Sequence, residues 1–406
     1  MRNRILPLLL VLLLTACTAA GAPATAVPTP TPSVPPPAPT STAVPVPVSG
    51  LTSVSMIDAR TGWAWATRPD SSFQLLRTAD GGLTWRDVTP ANLPIVSSGS
   101  FFLDGQTAWV QLYDANSNAN GLAATADGGR TWATVDASLP FVNAGLTFSD
   151  DRNGWAESAD VGAGNAFINL YATADGGASW TQLALQGPPS QTAASTPATI
   201  HLCNICGDQL YYDPQHLVLT YGDLASEAGG AVRLSVSTDL GKTWKDLRLP
   251  LPAGPYASDL IAPHAPIFFT PQDALLPVQM TRNTASSSDS DLALYATHDG
   301  GLTWSGLPTV LENASPFDLA SFVTPLDGFA RCGNDLCSTN DGGLTWQTLS
   351  TGLNFDSSTS STYVFQFQFV NPTTGWAITT DGTTSVLWVT TSNGASWAKL
   401  APVLAP

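Results

Sequence analysis

His201-x-Cys203-x-x-Cys206, followed by His216, has the ligand types and spacing of a tetrahedral zinc site. The same two cysteines also read as a local disulfide. So do Cys332 and Cys337, which flank Gly333-Asn334-Asp335-Leu336. An even cysteine count outside the cytoplasm favours disulfides. Pairing within 203–206 and within 332–337 is the preferred reading, with zinc at the first pair as the alternative and no metal or cofactor expected. Asp114-x-Asn116-x-Asn118-x-Asn120 is spaced like a calcium loop. It lacks that loop's glycine at position six and its closing glutamate, so it reads as a polar hairpin. The chain has only three glutamates, Glu157, Glu227 and Glu312, and three lysines. Acid/base chemistry therefore has few candidates, although aspartates on separate loops can always form a glycosidase pair. No catalytic residue is assigned.

The elements that position these residues come from a repeat. T-x-D-G-G-x-T-W recurs seven times, at Thr78–Trp85, Thr125–Trp132, Thr173–Trp180, Ser237–Trp244, Thr297–Trp304, Thr339–Trp346 and Thr390–Trp397. The intervals between the tryptophans are 47, 48, 64, 60, 42 and 51 residues. A second element precedes most copies: an aromatic, an Asp or Asn, a turn, then Gly-Trp-Ala. It is clearest at Gly62-Trp63-Ala64, Gly154-Trp155-Ala156, Gly328-Phe329-Ala330 and Gly375-Trp376-Ala377. Each repeat reads as four short strands with turn residues between apolar runs, and none shows a helical period. A four-stranded unit of this period is a propeller blade, so the expected fold is all-β, a seven-bladed β-propeller over residues 51–406.

The repeated turn has a structural logic. Its aspartate accepts backbone N–H groups, and its glycines tolerate positive φ. Asp80, Asp127, Asp175, Asp239, Asp299 and Asp341, with Trp85, Trp132, Trp180, Trp244, Trp304, Trp346 and Trp397, are accordingly given folding roles. The seventh copy departs, with Ser392 for the aspartate and Asn393 for the next glycine, and should be the weakest turn. Trp65 and Trp388 lie outside both elements and read as blade core. The chain begins on an apparent first strand and ends on an apparent fourth, so blades 1 and 7 are expected to close by side-chain packing.

Ahead of the repeats lie a basic start (Arg2, Arg4), an apolar run Ile5–Leu14 too short to span a bilayer, and Leu14-Thr15-Ala16-Cys17. This resembles a bacterial lipobox. The resemblance implies cleavage before Cys17 and a diacylglycerol on its sulfur, so residues 1–17 are the signal. Residues 18–50 are mostly Pro, Thr, Ala, Ser and Val, a disordered stalk that favours extended polyproline II. At full extension it would reach on the order of 100 Å. The expected location is extracytoplasmic, anchored to the bacterial membrane. Net charge is −16 and charged residues are only 11 %. Such a surface repels phosphate backbones, so nucleic acid is excluded as a partner.

The T-x-D-G-G-x-T-W element resembles the Asp-box, or BNR repeat, of sialidase-like propellers, sortilin-type receptors and xyloglucanases. With its Gly-Trp-Ala companion it is more similar to the photosystem II stability/assembly factor family. That resemblance implies a seven-bladed fold and a non-enzymatic protein-binding or assembly role in the cell envelope. A sialidase would need converging arginines, a Tyr/Glu pair and a Phe-Arg-Ile-Pro element; the last is absent and no Tyr adjoins any Glu. A carbohydrate-binding or glycoside-hydrolase propeller remains the second reading. Insertions at 184–210, 223–231 and 281–291 lengthen blades 4 and 5, and loops on a rigid ring usually carry binding residues. Those blades are the expected binding face.

Overall fold

The computed structural model describes residues 46–405 apart from 91–94, 115–118, 137, 163–164, 184–199, 203–208, 213–215, 222–230, 284–287, 315–319 and 357–359. Seven antiparallel sheets span Leu51–Asp87, Ile95–Asp136, Gly145–Gln182, Gln209–Pro250, Leu260–Leu311, Ala320–Leu349 and Tyr363–Lys399. Each is a blade of four antiparallel strands, innermost first, with the first strand of blade 5 broken into Leu260–Pro263 and Ile267–Phe268, and the blades form a β-propeller. A single 3-10 turn, Tyr256–Ser258, is the only helical segment among the described residues. The Cys203/Cys206 pair, Cys17 and most of the Asp114–Asn120 stretch lie outside those residues. Asn120 is described, and its amide donates to the carbonyls of Leu139 (3.3 Å) and Phe141 (2.7 Å), which lead into blade 3.

The apolar core is distributed. Seven clusters of buried side chains fall one at each interface between adjacent blades. The two motif tryptophans serve opposite interfaces. Along a strand, successive side chains point to opposite faces. Trp63 therefore packs forward on blade 2 while Ala64 packs back on blade 7. The box tryptophan always packs backward: Trp85 on blade 7, Trp304 on blade 4, Trp397 on blade 6. Forward tryptophans also bond the next blade. The indole N–H groups of Trp63, Trp109 and Trp376 donate to the carbonyls of Asp104, Gly176 and Gly81 at 2.9 Å each. Trp65 is buried with its indole N–H on Ser100 Oγ (3.1 Å), and Trp388 donates to Thr379 Oγ1 (3.0 Å), so both are spent within the ring.

The box turn closes on itself. Asp80 Oδ1 accepts from Thr84 N (2.9 Å) and from the Thr78 hydroxyl (2.9 Å), and its Oδ2 accepts from the Thr84 hydroxyl (2.7 Å). The same set recurs at Asp127, Asp175, Asp239, Asp299 and Asp341. In the seventh turn the Ser392 hydroxyl takes the role, accepting from Ser396 N at 3.1 Å. Blade 4 carries a departure of its own. Leu240 stands where five copies have glycine, at φ 57°, a left-handed conformation that costs an L-residue about 1–2 kcal/mol.

Ring closure differs from the expectation in two respects. Val403–Leu404 runs past blade 7 and pairs in parallel with the outer strand Thr84–Asp87 of blade 1. Val46–Pro47, inside the span expected to be stalk, pairs on its far side. At the inner edge, two side chains of blade 7 imitate a strand. Gln366 receives Val54 N (2.9 Å) and donates to Val54 O (3.1 Å); Gln368 does the same at Met56 (2.8 and 2.9 Å). Closure thus uses strand pairing and side-chain amides, with the expected apolar packing of Trp85, Trp376 and Leu387 beside them.

Candidate functional site

The two motif turns of a blade lie at the same end of the ring, because they bond each other: Gly81 N to Arg60 O, Gly128 N to Gln106 O, Gly176 N to Arg152 O. The insertions expected to bind fall largely outside the described residues; the strands that flank them, Leu217–Tyr221 with Ala231–Ser237 and Ala274–Asn283 with Ser288–Thr297, join at the end of the blade opposite the motif turns. Residues 200–202 of the first insertion join the third strand of blade 3 rather than blade 4. The insertion at 281–291 extends a hairpin whose strands run Ala274–Asn283 and Ser288–Thr297. Toward its tip Arg282 pairs with the buried carboxylate of Asp259 (3.2 Å), and Asp291 accepts from Asn313 N (3.0 Å). Burial first, then Asp291 and Glu312, raises the Tyr256 hydroxyl above its ordinary pKa.

A different grouping lies at the box end, between blades 1 and 2. Arg77 and Arg86 are direct cross-strand partners. Like charges placed so are destabilising, and Arg130 on the next box adds a third. Desolvation first, then Arg86 and Arg130, lowers the pKa of Arg77. Arg77 Nε donates to Gly105 O (2.6 Å) and Arg86 to Gly128 O (2.7 Å). Glycine is required at both acceptors: a Cβ on Gly128 would sit 2.8 Å from Arg77 Nε, and one on Gly105 2.4 Å from Thr61. Each guanidinium has five N–H donors, so most remain available. Among the described residues none of the three has a carboxylate within ion-pair distance. Asp104 offsets a small part of this repulsion at Arg77, but Asp80, Asp104 and Asp127 bond their oxygens within their own turns and none reaches ion-pair distance.

The other candidate residues have structural surroundings. Cys332 and Cys337 are joined by a disulfide with Cα atoms 5.8 Å apart, across the hairpin of blade 6. His216 is buried and stacks on Phe268 (4.6 Å), and His201 gives only its strand position, paired to Phe167. No three of His, Cys, Asp or Glu gather as a metal group among the described residues. The thiols of Cys203 and Cys206, and Glu227, lie outside them. Glu157 is in the second strand of blade 3, where Gln111 and Arg331 in other blades bond the backbone leading into the next blade. Burial pushes its carboxyl up to about 7.

These groups titrate with opposite signs. The box carboxylates are held low by Thr N–H and hydroxyl donors, to about 2 at Asp127 and Asp239. Their stabilisation is present above the unfolded value of 3.8 and is lost as pH falls. Glu157 is raised from 4.5, so its contribution is present below 4.5 and is lost as pH rises to about 7, on the order of 3 kcal/mol. Glu157 should therefore impose a decline in thermal stability between pH 4.5 and 7, opposed by His264, whose pKa is lowered by burial. Melting curves from pH 3 to 8 test this. In Glu157→Gln the decline between pH 4.5 and 7 should flatten; an unchanged decline would assign it to other groups.

No family model matches the chain, and no curated protein does. Solved structures do. "YCF48 bound to D1 peptide" aligns at 18 % identity and TM-score 0.48, covering 86 % of this chain and 95 % of that one. A polysaccharide lyase, an ulvan lyase of family PL25, aligns at 10 % identity and TM-score 0.50 (87 % and 96 %). The α-L-arabinofuranosidase Arb93A of Fusarium graminearum aligns at 14 % identity and TM-score 0.40 (76 % and 95 %). Of these three only the ulvan lyase reaches a TM-score of 0.50, and at 10 % identity that likeness bears on the fold alone.

Proposed function

We propose that this protein is a non-enzymatic scaffold of the bacterial cell envelope, lipid-anchored at Cys17 and displayed on the stalk of residues 18–45. Its Arg77/Arg86/Arg130 cluster receives an acidic segment of a protein partner. One observation carries this reading. A chain of net charge −16 sets Arg77 under the repulsion of Arg86 and Arg130 and, among the described residues, gives none of the three a carboxylate within ion-pair distance. Arginine is suited to the bidentate recognition of carboxylates, and an arriving carboxylate relieves the repulsion. The motif tryptophans and aspartates hold the turns from which these arginines project.

The test is capture of partners by the tagged protein from gently solubilised membranes, with identification by mass spectrometry. A stoichiometric partner should elute as salt rises, because exposed charge pairs are screened. It should be lost on Arg86→Glu with Arg130→Glu and kept when residues 281–291 are trimmed. The reverse pattern would place the partner on blades 4 and 5 at the opposite end. No partner at all would end the scaffold reading in favour of the carbohydrate-binding or hydrolase alternative.

A further inference from the structure

Between blades 6 and 7, at the box end, a cleft of about 380 Å³ opens to solvent. Two departures from the repeat occur there together. Phe329 stands where blades 1, 2, 3 and 7 have Trp63, Trp109, Trp155 and Trp376. It stacks flat on Phe369, with centroids 3.5 Å apart and planes at 4°. It lacks the second ring and the N–H that Trp109 and Trp376 deliver to the box of the next blade. The facing turn is the seventh box, in which Ser392-Asn393 replaces Asp-Gly. Asn393 occupies the place of Gly81 and Gly176, the acceptors of those indoles, and holds φ 56°. The missing ring leaves space, and the substituted turn borders it with the Ser392 hydroxyl in place of a carboxylate and the Asn393 amide in place of a glycine.

The lining is polar and nearly uncharged. Asn340 and Gln347 of blade 6 and Asn393 of blade 7 bring three exposed carboxamides to one rim; the Trp346 ring packs away from it, against Phe322 at the interface with blade 5. Asp327 is the one charged group among the lining residues. A carboxamide both donates and accepts, as a hydroxyl does. A site built to bond hydroxyls rejects ligands that lack them. With a carboxylate and no cation in the lining, anions are disfavoured. The volume falls within the range of small-ligand pockets, about 300–1,000 Å³.

We propose that this cleft binds a neutral sugar residue of a glycan, through the carboxamides of Asn340, Gln347 and Asn393. It is separate from the guanidinium cluster of blades 1 and 2, so either site can fail without the other. Full-length protein in detergent is screened on an array of neutral and uronic-acid-containing glycans. Hits are then measured by saturation-transfer NMR and titration. Neutral glycans should bind, and Phe329→Trp, which refills the cleft, should weaken them at least tenfold. Asn340→Ala with Gln347→Ala changes only exposed side chains; it should do the same while melting and partner capture stay unchanged. Failure of every neutral glycan to bind at millimolar concentration overturns the proposal. So does a preference for uronic-acid glycans, or binding that survives the double alanine variant.

Discussion

Replacing both Gln366 and Gln368 by alanine is expected to destabilise the propeller by about 4 kcal/mol. Their amides make four hydrogen bonds to the backbone of Val54 and Met56, both buried residues. An exposed hydrogen bond contributes little, but a buried N–H or C=O left without a partner costs about 1–3 kcal/mol. Each single substitution should cost about half as much. Gln366→Glu is more informative still: it keeps the acceptor for Val54 N but turns a carboxylate oxygen toward Val54 O, so it should be worse than alanine at neutral pH and milder in acid. Denaturant unfolding checks the values. A combined loss below about 1 kcal/mol would mean that the strand Val403–Leu404 and the apolar cluster close the ring by themselves.

Trp304→Ala is expected to cost about 3–5 kcal/mol. The ring is 8 % exposed, packs backward into the largest of the inter-blade clusters with Val218, Leu276 and Tyr295, and donates its indole N–H to Gly301 O at 2.8 Å. Alanine removes the apolar contact and leaves a void between two rigid sheets that have little freedom to collapse. Trp346→Ala is the useful comparison, because that ring packs backward in the same way, on the blade 5/6 cluster, but is only half-buried. It should cost clearly less. Equal melting temperatures for the wild type and Trp304→Ala would contradict the backward packing described for the box tryptophans.

The fold was legible because its determinants are local. A Thr-x-Asp-Gly-Gly turn folds on hydrogen bonds among residues at most four apart, so the sequence window contains the whole cause. What joins one blade to another is less visible. Gln366-Phe367-Gln368 reads as an ordinary alternating strand, and nothing nearby says that both amides will meet residues 312 positions away. Val403–Leu404 is too short to be recognised as a strand before its partner is known. The guanidinium cluster combines Arg77, Arg86 and Arg130 from two blades. Only the register between two strands reveals that the first pair face each other. One half of the cleft is visible in the sequence as the substituted seventh box, which by itself indicates only a weak turn. The cleft's other half is the small change from Trp to Phe at position 329, whose meaning depends on which blade that side chain faces.

The pairing of Val46–Pro47 and Val403–Leu404 on one edge of blade 1 has a mechanical consequence. The first and last strands of the folded unit are neighbours at the outer rim, on the far side of blade 1 from the inner edge that the glutamines hold. A pull on the chain ahead of Val46 is therefore received by a pair only two residues long, ahead of any blade. That pair would peel first, as a fuse, while the inner clasp at Val54 and Met56 kept the circle of blades intact under load.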